Sequence, residues 1–171
     1  MSGATEGLED ILAEGLSVIF CGINPGLLAK AQGHHFAGRG NRFWRTLHLA
    51  GFTAQPVSPE NDRSILGYHC GLTTVVARPT ARADQLTAQE FEAVAVEFEQ
   101  KIARYAPRHV AFLGKVAYAG LSGQKVIEWG LQPRTFGGAA AWVLPNPSGR
   151  NLAFTLEQLV AEYRQLHRAA R

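Results

Sequence analysis

No stretch of this 171-residue sequence approaches the roughly 20 consecutive apolar residues that cross a bilayer. The acidic segment Met1–Glu14 lacks an apolar centre, so no ordinary signal peptide and no membrane partner is expected, and the expected location is cytoplasmic. Cysteine is scarce: Cys21 and Cys70 stand in apolar surroundings, with no CxxC or Cys/His spacing. That argues against a zinc site or an iron–sulfur cluster and for buried free thiols, so no metal and no other cofactor is expected. Three familiar signatures are missing as well. There is no GxxxxGK followed by Ser or Thr, no GxGxxG after the first apolar run, and no GxSxG. Phosphate-loop, dinucleotide-binding and serine-hydrolase chemistry are therefore poor fits.

What is present reads as a single domain over residues 1–171, 46% hydrophobic and 18% charged. A chain of this length buries about 70% of its unfolded surface. The net charge of +3 permits a nucleic-acid partner without requiring one. The distribution says more. Lys30, His34, His35, Arg39, Arg42 and Arg45 follow the first apolar run, Arg78 and Arg82 follow another, and Arg150 follows the last. Acidic residues collect elsewhere, so one face of the molecule is expected to be basic.

Short apolar runs bounded by breakers at Leu16–Cys21, Leu72–Val76, His109–Leu113 and Ala139–Leu144 predict four buried strands. A segment of about twenty residues, Gly22 to Gly40, reads as a long loop, and Asn41 as the cap of a helix running to about Ala50. Asp62–Leu66 suggests a short helix. Thr87 with Glu90 forms a capping box ahead of Phe91, Val94, Phe98, Ile102 and Tyr105, whose spacing buries one helical face until Pro107 stops it. Further helices are expected at Gly114–Leu121 and over Leu156–Leu166. Strands alternating with helices predict a three-layer α/β/α sandwich around a mainly parallel four-stranded sheet.

Two stiff turns stand out at strand exits, Gly22-Ile23-Asn24-Pro25-Gly26 and Pro145-Asn146-Pro147-Ser148-Gly149. In open α/β sheets ligands gather at the carboxyl ends of strands, so the two turns are candidates for one pocket. Each presents an asparagine, whose amide can hold a water or a base edge but cannot take a proton as a carboxylate does.

Together with Gly33-His34-His35-Phe36-Ala37-Gly38, Gly40-Asn41-Arg42-Phe43-Trp44, Arg78-Pro79-Thr80 and Leu113-Gly114-Lys115, these turns closely resemble the mismatch-specific uracil-DNA and thymine-DNA glycosylases. The resemblance runs from about Leu8 to Leu166 and implies the uracil-DNA glycosylase fold. It also implies a monofunctional enzyme of base excision repair, acting as a monomer on double-stranded DNA with a flipped-out pyrimidine. The expected substrate is uracil mispaired with guanine, with thymine or ethenocytosine as further substrates. The resemblance assigns Asn24 to the attacking water, Phe36 to stacking on the flipped base, and Gly22, Ile23 and Asn146 to the substrate pocket. Ser148, Gly149, Arg150 and Asn151 match the loop that fills the gap in the duplex, and Lys30, Arg39 and Arg42 are expected at the DNA backbone. Arg150 stands where the bacterial mismatch-uracil branch commonly has leucine, which looks more like the thymine-DNA branch. Ala29 replaces a serine that some relatives use to hold the water.

Glycosidic cleavage develops positive charge on the sugar, so a nearby carboxylate would help, and the first turn has none. Asp84, just beyond Arg78-Pro79-Thr80, is the candidate second catalytic residue; Glu60 and Asp62 lie in a Pro-rich segment read as surface. His34 and His35 are read as phosphate or loop-packing residues ahead of a general-base role. The amide in place of a base also leaves open a non-catalytic module that binds DNA lesions or mismatches.

Overall fold

The computed structural model describes residues 7–171. The first residues of the acidic Met1–Glu14 segment lie outside the described residues. Val18–Gly22 (β1) is buried at every position and is therefore an interior strand. It lies parallel to Cys70–Thr74 (β2) on one side and to His109–Leu113 (β3) on the other. Ala139–Leu144 (β5) extends the parallel set beyond β3. A further strand, Gly130–Phe136 (β4), pairs antiparallel with β5, giving the order β2-β1-β3-β5-β4.

Side chains alternate across the sheet with the period of two that a strand dictates. Val18, Phe20, Ala111, Leu113, Trp142 and Leu144 face a layer formed by Phe43–Ala50 (α2) and Leu156–Ala170 (α5). Ile19, Cys21, Val110, Phe112, Ala141 and Val143 face Ala88–Tyr105 (α3) and Lys115–Ser122 (α4). The α3–α4 approach is close enough that a Cβ at Gly120 would lie 2.4 Å from Phe91 Cβ, so glycine is needed there. Both cysteines are free and buried, and burial pushes the Cys70 thiol up to about 12.

The sheet has five strands, where four are predicted from the apolar runs. Gly130–Phe136 escapes that reading because Pro133 and a register shift between Leu131 and Thr135 break its alternation. Proline is tolerated because β4 is an edge strand. Gly137 and Gly138, at φ 56 and 84, make the tight turn to β5, and this Gly-Gly pair is the signal a hairpin leaves in the sequence. The predicted long loop is also interrupted, by the helix Leu27–Gln32 (α1). Asn41 does serve the start of α2, its Oδ1 accepting from the Phe43 amide at 2.9 Å, although the cap position itself is Arg42. The short helix expected at 62–66 is a longer 3₁₀ stretch, Pro59–Tyr68. The Thr87–Glu90 capping box forms as the sequence predicts.

Connectivity places the site. From β1 the chain goes to β2 on one flank, then crosses back to β3 on the other. The strand order thus reverses beside β1, where open α/β sheets leave a crevice at their carboxyl edge.

Candidate active site

A cavity of about 700 Å³ opens at that crevice. Both asparagine turns line it, as do Phe36, Thr80, Arg39, Arg82 and Arg150. The turns converge over Gly114, where a Cβ would lie 3.3 Å from Ile23 Cδ1 and 3.9 Å from Asn146 Cβ. Gly114 has φ 127, so a side chain would also strain the backbone there.

Asn24 is held by its donors. Its Nδ2 gives one hydrogen to the Arg78 carbonyl at 2.7 Å and the other to Thr80 Oγ1 at 2.9 Å. A carbonyl only accepts, so the amide orientation follows from its partners. Its Oδ1 has no protein partner among the described residues. Asn24 therefore offers the cavity an acceptor. The turn is laced to the chain beyond β2 by Val75 N–H to the Gly22 carbonyl (2.9 Å) and Val76 N–H to the Ile23 carbonyl (3.0 Å).

Arg78 is itself anchored. Its guanidinium donates from Nε to Glu90 Oε1 at 2.7 Å and from a terminal nitrogen to Oε2 at 3.0 Å. The Arg78 hydrogen bonds, with a further bond from the Thr87 amide, hold the Glu90 carboxyl down to about 2 from its usual 4.5. A carboxyl depressed on folding stabilises above its unfolded value and loses that contribution as pH falls through the folded one. The melting-temperature gap between the parent and Glu90→Gln is therefore expected to stay constant above about pH 4.5 and to shrink towards pH 2. A gap independent of pH across that window would dismiss the linkage.

Asn146 is held the opposite way. Its Oδ1 accepts the Ser148 amide at 2.9 Å, and its backbone carbonyl accepts Asn151 Nδ2 at 2.9 Å. The Asn146 Nδ2 group has no protein partner among the described residues, so this side chain offers the cavity donors. The same loop is pinned from behind by the buried Tyr163 of α5, whose hydroxyl donates to the Pro145 carbonyl at 2.8 Å. Gly149 packs against Gly40, where a Cβ would meet a carbonyl oxygen at 2.8 Å.

Phe36 connects the two halves. Its ring stacks on Phe43 at 3.9 Å between centroids and 18° between planes, and the residue also lines the cavity. Its φ of 59 is left-handed, a conformation that costs a non-glycine residue about 1–3 kcal/mol. The flanking His35 fixes it in place. The His35 amide donates to Asp62 Oδ2 at 2.9 Å, and the His35 carbonyl accepts from Trp44 Nε1 at 3.0 Å. Asp62, read from sequence as a surface acid, is only 4% exposed and organises this loop.

Several predicted site residues have other tasks. Asp84 is a correction: its side chain is 74% exposed, pairs with Arg82 at 3.2 Å and does not line the cavity. The short 3₁₀ turn Ala83–Gln85 turns it outward to solvent. Among the described residues no carboxylate side chain lines the cavity. Arg42, expected at a phosphate, donates to the carbonyls of Phe154 (2.7 Å), Ser148 (2.9 Å) and Asn151 (2.9 Å), with a longer bond to Pro147 (3.4 Å). It ties the second asparagine loop to α2. Lys30 donates to the Gly7 carbonyl at 2.8 Å, and the Asn151 amide is spent within its own loop. Arg39 and Arg150 are exposed at the rim of the cavity, and Ser148 and Gly149 line it. Thr80, Tyr163 and Asp62 carry no site role in the sequence reading, whereas Arg82 belongs to the basic face expected there. Leu152, beside Arg150 in the same loop, is 91% exposed.

The family model of the Uracil DNA glycosylase superfamily matches residues 10–166. Among solved structures, the chain is similar to a protein from Methanosarcina acetivorans provisionally named a uracil DNA glycosylase. The two share 22% identity over 95% of this chain and 98% of the other, with a TM-score of 0.63. That likeness is one of fold.

Proposed function

Because the chain belongs to the uracil DNA glycosylase superfamily, we propose that it is a monofunctional DNA glycosylase releasing uracil mispaired with guanine from double-stranded DNA. The observation that carries this reading is the opposed pair of asparagines. Asn24 presents an acceptor and Asn146 presents donors across one cavity. An acceptor suits a water, and donors suit the carbonyl oxygens of a pyrimidine.

The base must leave the helix before its glycosidic bond is reached. In this reading it enters beside Phe36, with Asn146 Nδ2 donating to a carbonyl oxygen of the ring. Asn24 Oδ1 holds a water against the sugar C1′. The C1′–N1 bond breaks with its electrons passing to N1, the water oxygen bonds to C1′, and the proton it sheds ends in solvent or on the departing base. The products are free uracil and an abasic site. No lysine lines the cavity among the described residues, so nothing in this reading forms a Schiff base with C1′.

Without a carboxylate at the cavity, rate must come from positioning and from donors that stabilise the pyrimidine anion as it leaves. Turnover is therefore proposed to be slow and sensitive to the leaving group. The cavity volume leaves room for the methyl of thymine or the etheno bridge of ethenocytosine. Arg150 is proposed to enter the gap left by the flipped nucleotide, where a guanidinium can donate to O6 on the pairing edge of the orphaned guanine. Exposed Arg39 supplies positive charge for a flanking phosphate.

The test is single-turnover base release from labelled duplexes carrying U:G, U:A, T:G or ethenocytosine:G, followed by alkali to reveal abasic sites. Release is expected to be fastest from U:G, with strands intact before alkali. Tight binding with no base released from any duplex would instead select the lesion-binding module. Strand breakage before alkali would refute the monofunctional assignment.

A further inference from the structure

The Asn24 amide has two ends of nearly equal size, so shape alone does not decide which end meets the cavity. Hydrogen bonds decide it. We propose that Thr80 is a positioning residue that locks the Asn24 amide with its oxygen towards the cavity. A hydroxyl can donate or accept, and if Thr80 donated to Asn24 it would favour the reversed amide. Its hydrogen is committed elsewhere: Thr80 Oγ1 donates to the Arg82 carbonyl at 2.6 Å. Towards Asn24 the hydroxyl is therefore an acceptor, and it takes an Nδ2 hydrogen at 2.9 Å. With the Arg78 carbonyl as the other acceptor, both hydrogens of the amide are used and the reversed orientation would face two acceptors.

Thr80 is well placed to hold this setting. It is buried, and its amide donates to the Pro25 carbonyl at 3.2 Å within the same turn as Asn24. A parallel bridge between Gly26 and Thr80 adds a second tie. Thr80 and Asn24 therefore move as one unit, and the hydroxyl acts on the reaction only through the amide. The effect on rate rests on the proposed role of Asn24 in holding the water. The effect on the amide does not.

Thr80→Val keeps the shape and removes the hydroxyl. Single-turnover uracil release is expected to fall about 10- to 100-fold with DNA affinity unchanged, and Thr80→Ser is expected to restore it. In parallel, the Asn24 side-chain amide is followed by ¹⁵N NMR, its signals identified by their loss in Asn24→Ala. Those hydrogens are expected to exchange slowly in the parent and in Thr80→Ser, and much faster in Thr80→Val. Thr80→Ala replaces the valine variant where that fails to fold. Unaltered amide exchange without the hydroxyl overturns the proposal, whatever the rate does. Faster exchange with unaltered release from an active enzyme would keep Thr80 as the lock on the amide and overturn the water-holding role proposed for Asn24. A parent that releases no uracil removes the enzymatic reading, while the exchange measurement still decides the role of Thr80.

Discussion

Replacing Asn24 with alanine is expected to slow uracil release by about 10²- to 10³-fold while DNA affinity stays nearly constant. The size follows from the cavity. With no carboxylate side chain lining it among the described residues, the Asn24 oxygen is the acceptor with which a water is held in the proposed mechanism. The affinity is expected to survive because Asn24 is bound to protein partners and faces the reacting bond, whereas the exposed arginines meet the backbone. Removing the amide also leaves the Arg78 carbonyl and the Thr80 hydroxyl without a donor, a stability loss of about 1–2 kcal/mol. Chemical unfolding alongside single-turnover kinetics separates the two effects. An excision rate equal to that of the parent would remove Asn24 from the reaction.

The substitution Asn24→Asp sharpens the same argument. One carboxylate oxygen would stand where Nδ2 now donates, against the Arg78 carbonyl, which cannot turn into a donor. The new carboxyl is expected to retain its proton to unusually high pH, so that any gain in rate appears only on the alkaline side. A pH–rate profile reads this directly. Fast release at neutral pH would show that the surroundings of Asn24 are not tuned to an amide.

The second large effect is expected at Arg42. Arg42→Ala should lower stability by about 2–4 kcal/mol and slow base release by about 10- to 100-fold. Three carbonyls at 2.7–2.9 Å lose a charged donor together, and they belong to the loop that carries Asn146 and Arg150. Lysine cannot replace the fork, because a single ammonium does not reach carbonyls from three residues at once. The salt dependence of DNA binding separates this role from the phosphate contact that the sequence suggests. A lost phosphate contact would lower the slope of log K against log salt by about 0.9. Arg42→Ala is expected to leave that slope unchanged, whereas Arg39→Ala is expected to lower it. A reduced slope with unchanged stability would return Arg42 to the DNA.

The contrast between Arg42 and Asp84 shows where the sequence stops being legible. Both carry a charge that the sequence associates with the candidate pocket, and that charge is real. Charge does not say which way a side chain points. Arg42 sits at the start of α2, close to carbonyls over 100 positions later in the chain, and turns inward. Asp84 occupies a short turn whose side chain faces solvent and pairs locally with Arg82. Asp62 errs in the opposite direction. Its Pro-rich neighbourhood reads as surface, yet the 3₁₀ stretch carries it beneath the Phe36 loop, where the His35 amide meets it.

By itself the sequence determined the parallel core, the helices that cover it and the two asparagine turns. Each of these rests on interactions within a few residues: apolar alternation, capping boxes, and proline or glycine at the breaks. The Gly137-Gly138 turn into the fifth strand follows the same local rule. Only the tertiary structure decided which atom of each asparagine faces the cavity. Asn24 finds its acceptors 54 and 56 positions away, on a segment brought alongside by the pairing of β1 with β2. Asn146 is set by its own loop, but Arg42 and Tyr163 hold that loop from distant helices. A planar amide has no intrinsic front, so its polarity belongs to the fold.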